Sequence, residues 1–344
     1  NVKEKLNSII LSMAEHHWLF SKNPGHDFTR QHLGKLSFYD TMRLIISMGK
    51  GSTNDEIMDY FDLDPDLIPS QSAFCQRRRQ ISLSAFEYLF SEFSSSFPST
   101  TDKFKDHCIL ACDGCHVVYA TNSDIIEDYN KPRLIDYKGY NHMHLNGFVD
   151  VISKAFLDVV IQPGQQPDER EALHSMLDHF TPDDPQKYII TADRGYESYD
   201  LLFHCEFKNL GYVFRVKSPS SPKSILSYYA SELPDDLEEF DVTIKRFFTD
   251  KATNIMKSQS DVYRYINPSK NTPHFYELLR KNHSHLYFLQ FRVVKIKTAE
   301  NTYEYLITNL PFSFTLDDIQ ECYHWRWGIE ISFRYLKHAA GLLY

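Results

Sequence analysis

Over the first hundred residues apolar positions recur at three-and-four spacing, most clearly over 36–48 and 83–93, with turn-forming residues between them. That period predicts helices, and no strand, up to about residue 105. Within this region Asp62-Leu-Asp-Pro-Asp66 reads as an acidic turn. Ser70 has the side chain to cap a short helix from Gln71 through Arg77, Arg78 and Arg79. Past residue 106 the pattern changes to short β-rich runs at 107–112, 117–120, 141–151, 155–162, 187–192 and 211–216, with helical stretches at 169–180 and 196–207 between the later ones. An antiparallel start followed by alternating helix and strand predicts an α/β fold, a mixed sheet flanked by helices. Residues 218–282 are punctuated by Ser and Pro, then acidic, then aromatic and irregular, and read as an insertion. Strand character returns at 286–297 and 303–308, and a long helix is expected to open at Thr315, where Asp318 completes a capping-box pattern.

Composition narrows the function classes. The chain has 344 residues, with 37 Lys+Arg against 46 Asp+Glu, a formal charge of −9. No global positive field exists to hold nucleic acid, so any such role rests on local patches. Six cysteines are too few for a disulfide scaffold, which makes a reduced, intracellular compartment the expectation. No apolar run approaches the roughly 18–20 residues of a membrane span, and Glu4 and Glu15 do not suit a signal peptide. Neither membrane nor secretion is expected. The chain opens on Asn1 and closes at Tyr344 within a predicted helix, which leaves open that it is part of a longer product.

Three acidic positions stand in suggestive contexts. In Ile109-Leu-Ala-Cys-Asp113-Gly and in Tyr188-Ile-Ile-Thr-Ala-Asp193-Arg-Gly an apolar run ends on a carboxylate, and in α/β sheets functional groups collect at strand carboxyl ends. Each Asp also reads as a turn former or helix cap. On the last helix Tyr323, Arg326, Glu330 and Lys337 fall at steps 0, 3, 7 and 14, within an arc of roughly 60° at about 100° per residue. Cys322, Trp325, Ile329, Phe333, Leu336 and Ala340 take the neighbouring arc. They are expected to pack on a sheet while the polar stripe faces outward. A solvated helix with ion pairs has the same spacing. The Arg-bearing helix at 71–79, preceded by a helix and a turn, suits a major-groove reader or a solvated face. Cys112 and Cys115 read as thiols on a buried strand and its turn rather than a zinc or redox pair. His142/His144 and His283/His285 lack the further ligands a metal site needs.

Tyr323-His-Trp-Arg326-Trp-Gly-Ile-Glu330-Ile-Ser-Phe-Arg-Tyr-Leu-Lys337 resembles the Tyr-Arg-Glu-Lys signature of bacterial insertion-sequence transposases of the DDE class, spacing included. Ala111-Cys-Asp113-Gly and Thr191-Ala-Asp193-Arg-Gly-Tyr resemble that family's two aspartate motifs, and Tyr305-Leu-Ile-Thr-Asn-Leu the strand before its glutamate helix. Leu36-Ser-Phe, Ser47-Met-Gly-Lys50 and Ser72-Ala-Phe look like its helical DNA-binding region.

The resemblance implies a ribonuclease-H-like catalytic sheet in which Asp113, Asp193 and Glu330 form a triad holding a pair of Mg²⁺ ions, with Mn²⁺ able to substitute. Hard carboxylate oxygens suit those ions. It further implies that Tyr323, Arg326 and Lys337 hold the phosphate beside the cleaved end, helped by Arg194, while Arg77, Arg78 and Arg79 contact DNA. The implied partners are double-stranded transposon ends and target DNA, with a homodimer in the DNA complex, in a bacterial cytoplasm. The implied reaction is hydrolysis at the transposon end and transfer of the freed 3′ hydroxyl to target DNA. An inactive or domesticated DNA-binding protein and a structure-specific nuclease on the same fold are the alternatives. The implied division is a helical DNA-binding domain at 1–105, catalytic parts at 106–217 and 301–344, and a β-rich insertion at 218–300. Asp193 and Glu330 stand 137 positions apart, which suits relatives with such an insertion. Some of those place a Trp in it, whereas the tryptophans here are Trp18, Trp325 and Trp327. Arg215, Lys217, Arg292, Lys295 and Lys297 lie on predicted strands flanking the insertion, placed either to follow a DNA backbone or simply as strand-edge charges.

Overall fold

The computed structural model describes all residues except 1, 30–34, 50, 97–102, 132–138, 252, 268–271 and 339–344. Lys50 and Ala340 therefore lie outside the described residues. Two compact units form, one of residues 1–98 with 334–344 and one of residues 99–333.

Helices build the first unit: α1 (Val2–Glu15), α2 (Phe38–Ser47), α3 (Thr53–Tyr60), α4 (Gln71–Gln80) and α5 (Leu83–Ser95). Their starts follow local chemistry. Ser37 and Asp40 make a reciprocal capping box at α2, and the Ser70 side chain accepts the Ala73 amide at α4, as the sequence predicts. The three-and-four spacing puts Ile10, Met13, Phe38, Met42, Ala85 and Leu89 into one core and Leu44, Ile57 and Phe74 into a second.

The second unit carries β1 (Cys108–Tyr119), β2 (Tyr129–Asn130), β3 (Tyr140–Asp150), β4 (Ala155–Pro163), α6 (Glu169–His179), β5 (Tyr188–Ala192), α7 (Tyr199–Phe207) and β6 (Gly211–Val216). There follow β7 (Phe240–Thr249), α8 (Asn254–Ser258), β8 (Tyr263–Tyr265), α9 (Pro273–Lys281), β9 (Leu286–Ala299), β10 (Thr302–Thr308), α10 (Leu316–His324) and α11 (Trp327–His338), which runs on into the other unit. All ten strands join one mixed sheet in the order β2-β3-β1-β5-β6-β10-β9-β7-β8, with β4 also on β3. Pairs β1/β3 and β3/β4 are antiparallel, whereas β1/β5 and β5/β6 are parallel. The α/β fold expected from the sequence, a mixed sheet with flanking helices, is present. Within residues 218–300, β7 and β9 extend the same sheet through β10.

Two sequence expectations fail. Gly114 is not a turn: β1 runs through Asp113-Gly114 to Tyr119, paired with β3 throughout. A Cβ at Gly114 would come within 2.2 Å of His144 Nε2 and 2.6 Å of Glu169 Oε1, so glycine serves close approach rather than chain reversal. Nor is there one long C-terminal helix. Thr315 and Asp318 do form the expected capping box, but Trp325 and Arg326 form a tight turn between α10 and α11, closed by Arg326 N–H to Tyr323 O and Gly328 N–H to Trp325 O. Beyond the turn a Cβ on Gly328 would sit 3.1 Å from Val151 Cβ, so the missing side chain lets α11 settle on the end of β3.

Candidate active site

Asp113 and Asp193 reach one place because their strands are parallel neighbours. Ala111 pairs with Thr191, so the two aspartates follow two residues further on along neighbouring parallel chains, Asp113 within β1 and Asp193 just past the end of β5. Asp193 Oδ1 accepts the Gly195 amide at 2.7 Å and caps the 3-10 turn Arg194–Tyr196. Asp113 Oδ1 accepts the Gly114 amide at 2.9 Å.

Glu330 arrives from α11. The Arg326 guanidinium joins it to Asp113, with Nη2 at 2.8 Å from Glu330 Oε1 and Nη1 at 3.4 Å from Asp113 Oδ2. The turn at Trp325-Arg326 accompanies this bridge; Cys322, Ile329 and Phe333 are buried as the expected facing has it, and the departures lie at the turn and just before it. Arg326 and Tyr323 are buried, whereas Trp325 is exposed. Arg326 lies over the Tyr323 ring, and its Nε is buried without an acceptor among the described residues.

Sequence reasoning missed a fourth carboxylate. Glu169 opens α6, and its Oε1 lies 3.1 Å from His144 Nε2. A Cβ on Gly195 would touch both Asp193 Oδ1 (3.0 Å) and Glu169 Oε2 (3.4 Å), which brings Glu169 beside Asp193. Arg170 fixes that approach by donating from Nε to Gly195 O at 2.9 Å. An acid at a first helical position is ordinarily explained by the helix dipole, so its spacing carried no signal.

Burial pushes the Asp113 carboxyl up to about 6; the Gly114 amide and Arg326 oppose this, while Asp193 and Glu169 add to it. Two carboxylates, Asp113 and Glu330, therefore meet one guanidinium, while Glu169, beside Asp193, meets one imidazole. The donors are hard oxygens, partly open to solvent, and the arrangement suits a divalent cation of the Mg²⁺ type. Asp113, Asp193 and Glu330 could supply oxygens to such an ion, with Glu169 beside Asp193.

The remaining sequence candidates sit elsewhere. Arg194 is exposed in the turn after Asp193. Lys337 is half-buried and belongs, with 334–344, to the first unit. In that unit Arg78 and Arg79 are exposed on α4, while Arg77 stacks over Phe28 and donates to Gln80. Arg215, Lys217, Arg292, Lys295 and Lys297 each meet a carboxylate of this chain: Glu304, Glu197, Asp241, Asp235 and Glu238. Their strands, β6 (with Lys217 just past its end) and β9, are interior strands of the sheet rather than edges. His142 is bonded to Asn130 and to Gly164 O, and His285 to Asp250. Cys112 is a buried thiol on β1 facing the Tyr196 hydroxyl.

No match is found among curated proteins. Of eight chains of solved structure that match, one is described as a piggyBac transposase synaptic complex with hairpin DNA, determined by cryo-EM. The identity is 11%, the TM-score 0.42, and the match covers 86% of this chain and 57% of that one, so the chain spans just over half the length of that relative. No helix among the described residues is long and apolar enough to cross a membrane. The family described as "Transposase DDE domain" matches residues 104–343, a span that takes in Asp113, Asp193, Glu169, Arg326 and Glu330, and the chain belongs to that family.

Proposed function

We propose that this chain is a DNA transposase that cleaves phosphodiester bonds at the inverted-repeat ends of its element and joins the 3′ ends to target DNA. The observation that carries the reading is the arrival of Asp113, Asp193 and Glu330 from two parallel strands and a helix, with Arg326 between two of them. The strand senses from β4 to β6 support a ribonuclease-H-like core, as does the placement of the aspartates on its central strands.

Asp113, Asp193 and Glu330 are the proposed catalytic carboxylates and would hold Mg²⁺ or Mn²⁺. Such a pair of ions supplies charge stabilisation at the attacking and leaving oxygens of an in-line displacement. The chain's own residues do the rest. Arg326 sets the spacing of Asp113 and Glu330, and its unsatisfied Nε suits a phosphate oxygen of the bound strand. Glu169 and His144 fix the side of the cluster at Asp193. Tyr323 supports the guanidinium from below, and Arg194 and Lys337 are offered as phosphate contacts. In the first unit, Arg77, Arg78 and Arg79 on α4 would read or clamp duplex DNA. Assembly as a homodimer on paired ends belongs to the same proposal.

The test is direct. Purified protein is incubated with labelled end-containing DNA, a target plasmid and Mg²⁺ or Mn²⁺, and nicked and joined products are scored. Both are expected. Nicking without joining favours a structure-specific nuclease; binding alone favours an inactive DNA-binding protein.

A further inference from the structure

We propose that His174, His204 and His274 form a binding site for a borderline divalent transition metal, Zn²⁺ being the type, separate from the carboxylate cluster. His174 lies on α6, His204 on α7 and His274 in the first turn of α9, so three helices 30 and 70 residues apart in sequence deliver one imidazole each. One ring nitrogen from each residue lies within 4.8 Å of the others. His204 and His274 are buried and His174 nearly so. The rings stack almost parallel, with His204 and His274 centroids 3.7 Å apart.

Hydrogen bonding assigns the donors. Asp200 caps the start of α9: its Oδ1 accepts the His274 amide at 3.1 Å, and its Oδ2 accepts His274 Nδ1–H at 2.8 Å. That tautomer leaves Nε2 of His274 as a lone-pair donor, the carboxylate–histidine arrangement typical of metal-bound imidazoles. His174 Nε2 is 3.5 Å from the same Asp200 oxygen, and His204 Nε2 is 3.2 Å from Asp178 Oδ1, though without hydrogen-bond geometry. Both carboxylates favour a proton on Nε2. Both Nδ1 atoms then carry lone pairs, and they face one another at 2.9 Å. Two facing lone pairs repel; a cation between them converts the contact into attraction. Ring nitrogens bound at roughly 2.0–2.1 Å to a tetrahedral ion sit about 3.3 Å apart, so this pair needs to open by a few tenths of an ångström and the stacked rings need to tilt for their in-plane lone pairs to converge. Three imidazoles suit Zn²⁺ far better than Mg²⁺. The ion would tie α9, from the 218–300 segment, to α6, whose first residue is Glu169.

The inference does not depend on the transposase reading. The test uses the whole chain, stripped on a chelating resin, kept in excess Mg²⁺ and titrated with ZnCl₂, then gel-filtered and analysed by plasma mass spectrometry. One zinc per chain is expected, both in the unaltered protein and in Asp113→Asn/Asp193→Asn. His174→Ala and His274→Ala are each expected to lose that equivalent. Should those variants misfold, CoCl₂ loading of the unaltered chain decides, with visible bands of four-coordinate, nitrogen-ligated cobalt expected and bleached by zinc. Zinc retention unchanged in folded histidine variants, loss in the carboxylate variant, or absence of cobalt bands overturns the proposal. So does a simple neutral His174–His204 hydrogen bond, seen as a proton-coupled imidazole pair by nitrogen NMR in the presence of excess zinc.

Discussion

Along β7 and β9 the cations meet carboxylates of this chain: Arg292 with Asp241, Lys295 with Asp235, Arg246 with Glu232 and Lys297 with Glu238. Within β1 and just after β5, Asp113 and Glu330 share one guanidinium, with Glu169 beside Asp193 and the His144 imidazole against Glu169. Both are clusters of charge on one sheet, yet the first closes on itself and the second is short of positive charge. Four of the six acids in residues 231–241 belong to this closed cluster: Glu232, Asp235, Glu238 and Asp241. The short one is where a solute cation has something to gain. Net charge of the whole chain hides this difference, because it sums over both.

The largest effect should come from the cluster short of cations. Glu330→Gln removes a carboxylate without changing shape, and transition-state charge stabilisation worth several kcal/mol corresponds to a loss of about a thousandfold or more in cleavage. Binding to end DNA is expected to stay within a few-fold. Unaltered cleavage by Glu330→Gln would remove this residue from the site and leave the contrast without meaning.

The closed cluster should instead answer in stability. Arg292 is buried, paired with Asp241, and donates from Nη1 to the carbonyls of Leu310, Pro311 and Phe314. Removing it in Arg292→Ala strands Asp241 and three acceptors, and breaking such a pair costs about 3–5 kcal/mol. Urea denaturation measures this. Cleavage per folded molecule is expected to persist at low temperature; its disappearance would tie this strand to the chemistry.

A third, smaller effect is pH dependence. Asp113 is raised by burial from the ordinary carboxyl range to about 6, so folding favours its neutral form. The contribution to stability is therefore fully present below about pH 4 and is lost as pH rises through 6, by roughly 2–3 kcal/mol before solvent screening. In chelator, the difference in urea midpoint between the unaltered chain and Asp113→Asn should change across pH 4 to 7. Divalent ions oppose the trend, since they bind the ionised form and are displaced by protons below pH 6. An identical pH profile for the two proteins would show that Asp113 is not the group under strain.

Much of this contrast could be read from the chain before any fold was known. Strand-ending carboxylates at Asp193 and, in part, Asp113 followed from apolar runs, and the parallel register at Ala111/Thr191 sets them on neighbouring chains. What escaped depended on tertiary context. The turn at Trp325-Arg326 interrupts a sequence with unbroken helical periodicity and has no Pro to announce it. Gly114 has the residue type of a turn but meets a space constraint set by His144 and Glu169, which come from 30 and 55 positions downstream. The three stacked histidines share no spacing rule, because three separate helices supply them. Local pattern reports an element's period; it does not report which side chain from another element fills the space beside it.

The smallest expected effect separates exposed basic residues from those paired with a carboxylate of the chain. Arg78 and Arg79 are exposed on α4, where Arg78 also lies over the Phe74 ring, whereas Arg215 is held by Glu304 at 2.9 Å. A cation that neutralises a DNA phosphate releases condensed counterions, so each contact adds about 0.9 to the slope of log affinity against log salt. Arg78→Gln and Arg79→Gln should therefore each lower the slope by about one, measured by fluorescence anisotropy on duplex DNA between 50 and 200 mM salt. Arg77→Gln is a poorer probe, since Arg77 also covers Phe28 and its loss disturbs α4. Arg215→Gln should leave the slope unchanged and shift stability by about 1 kcal/mol, since the Arg215–Glu304 pair is only half-buried. If the slope instead falls with Arg215 and not with Arg78 or Arg79, the helical unit is not the part that grips DNA, and the paired strands of the sheet exchange their internal carboxylates for phosphates on binding.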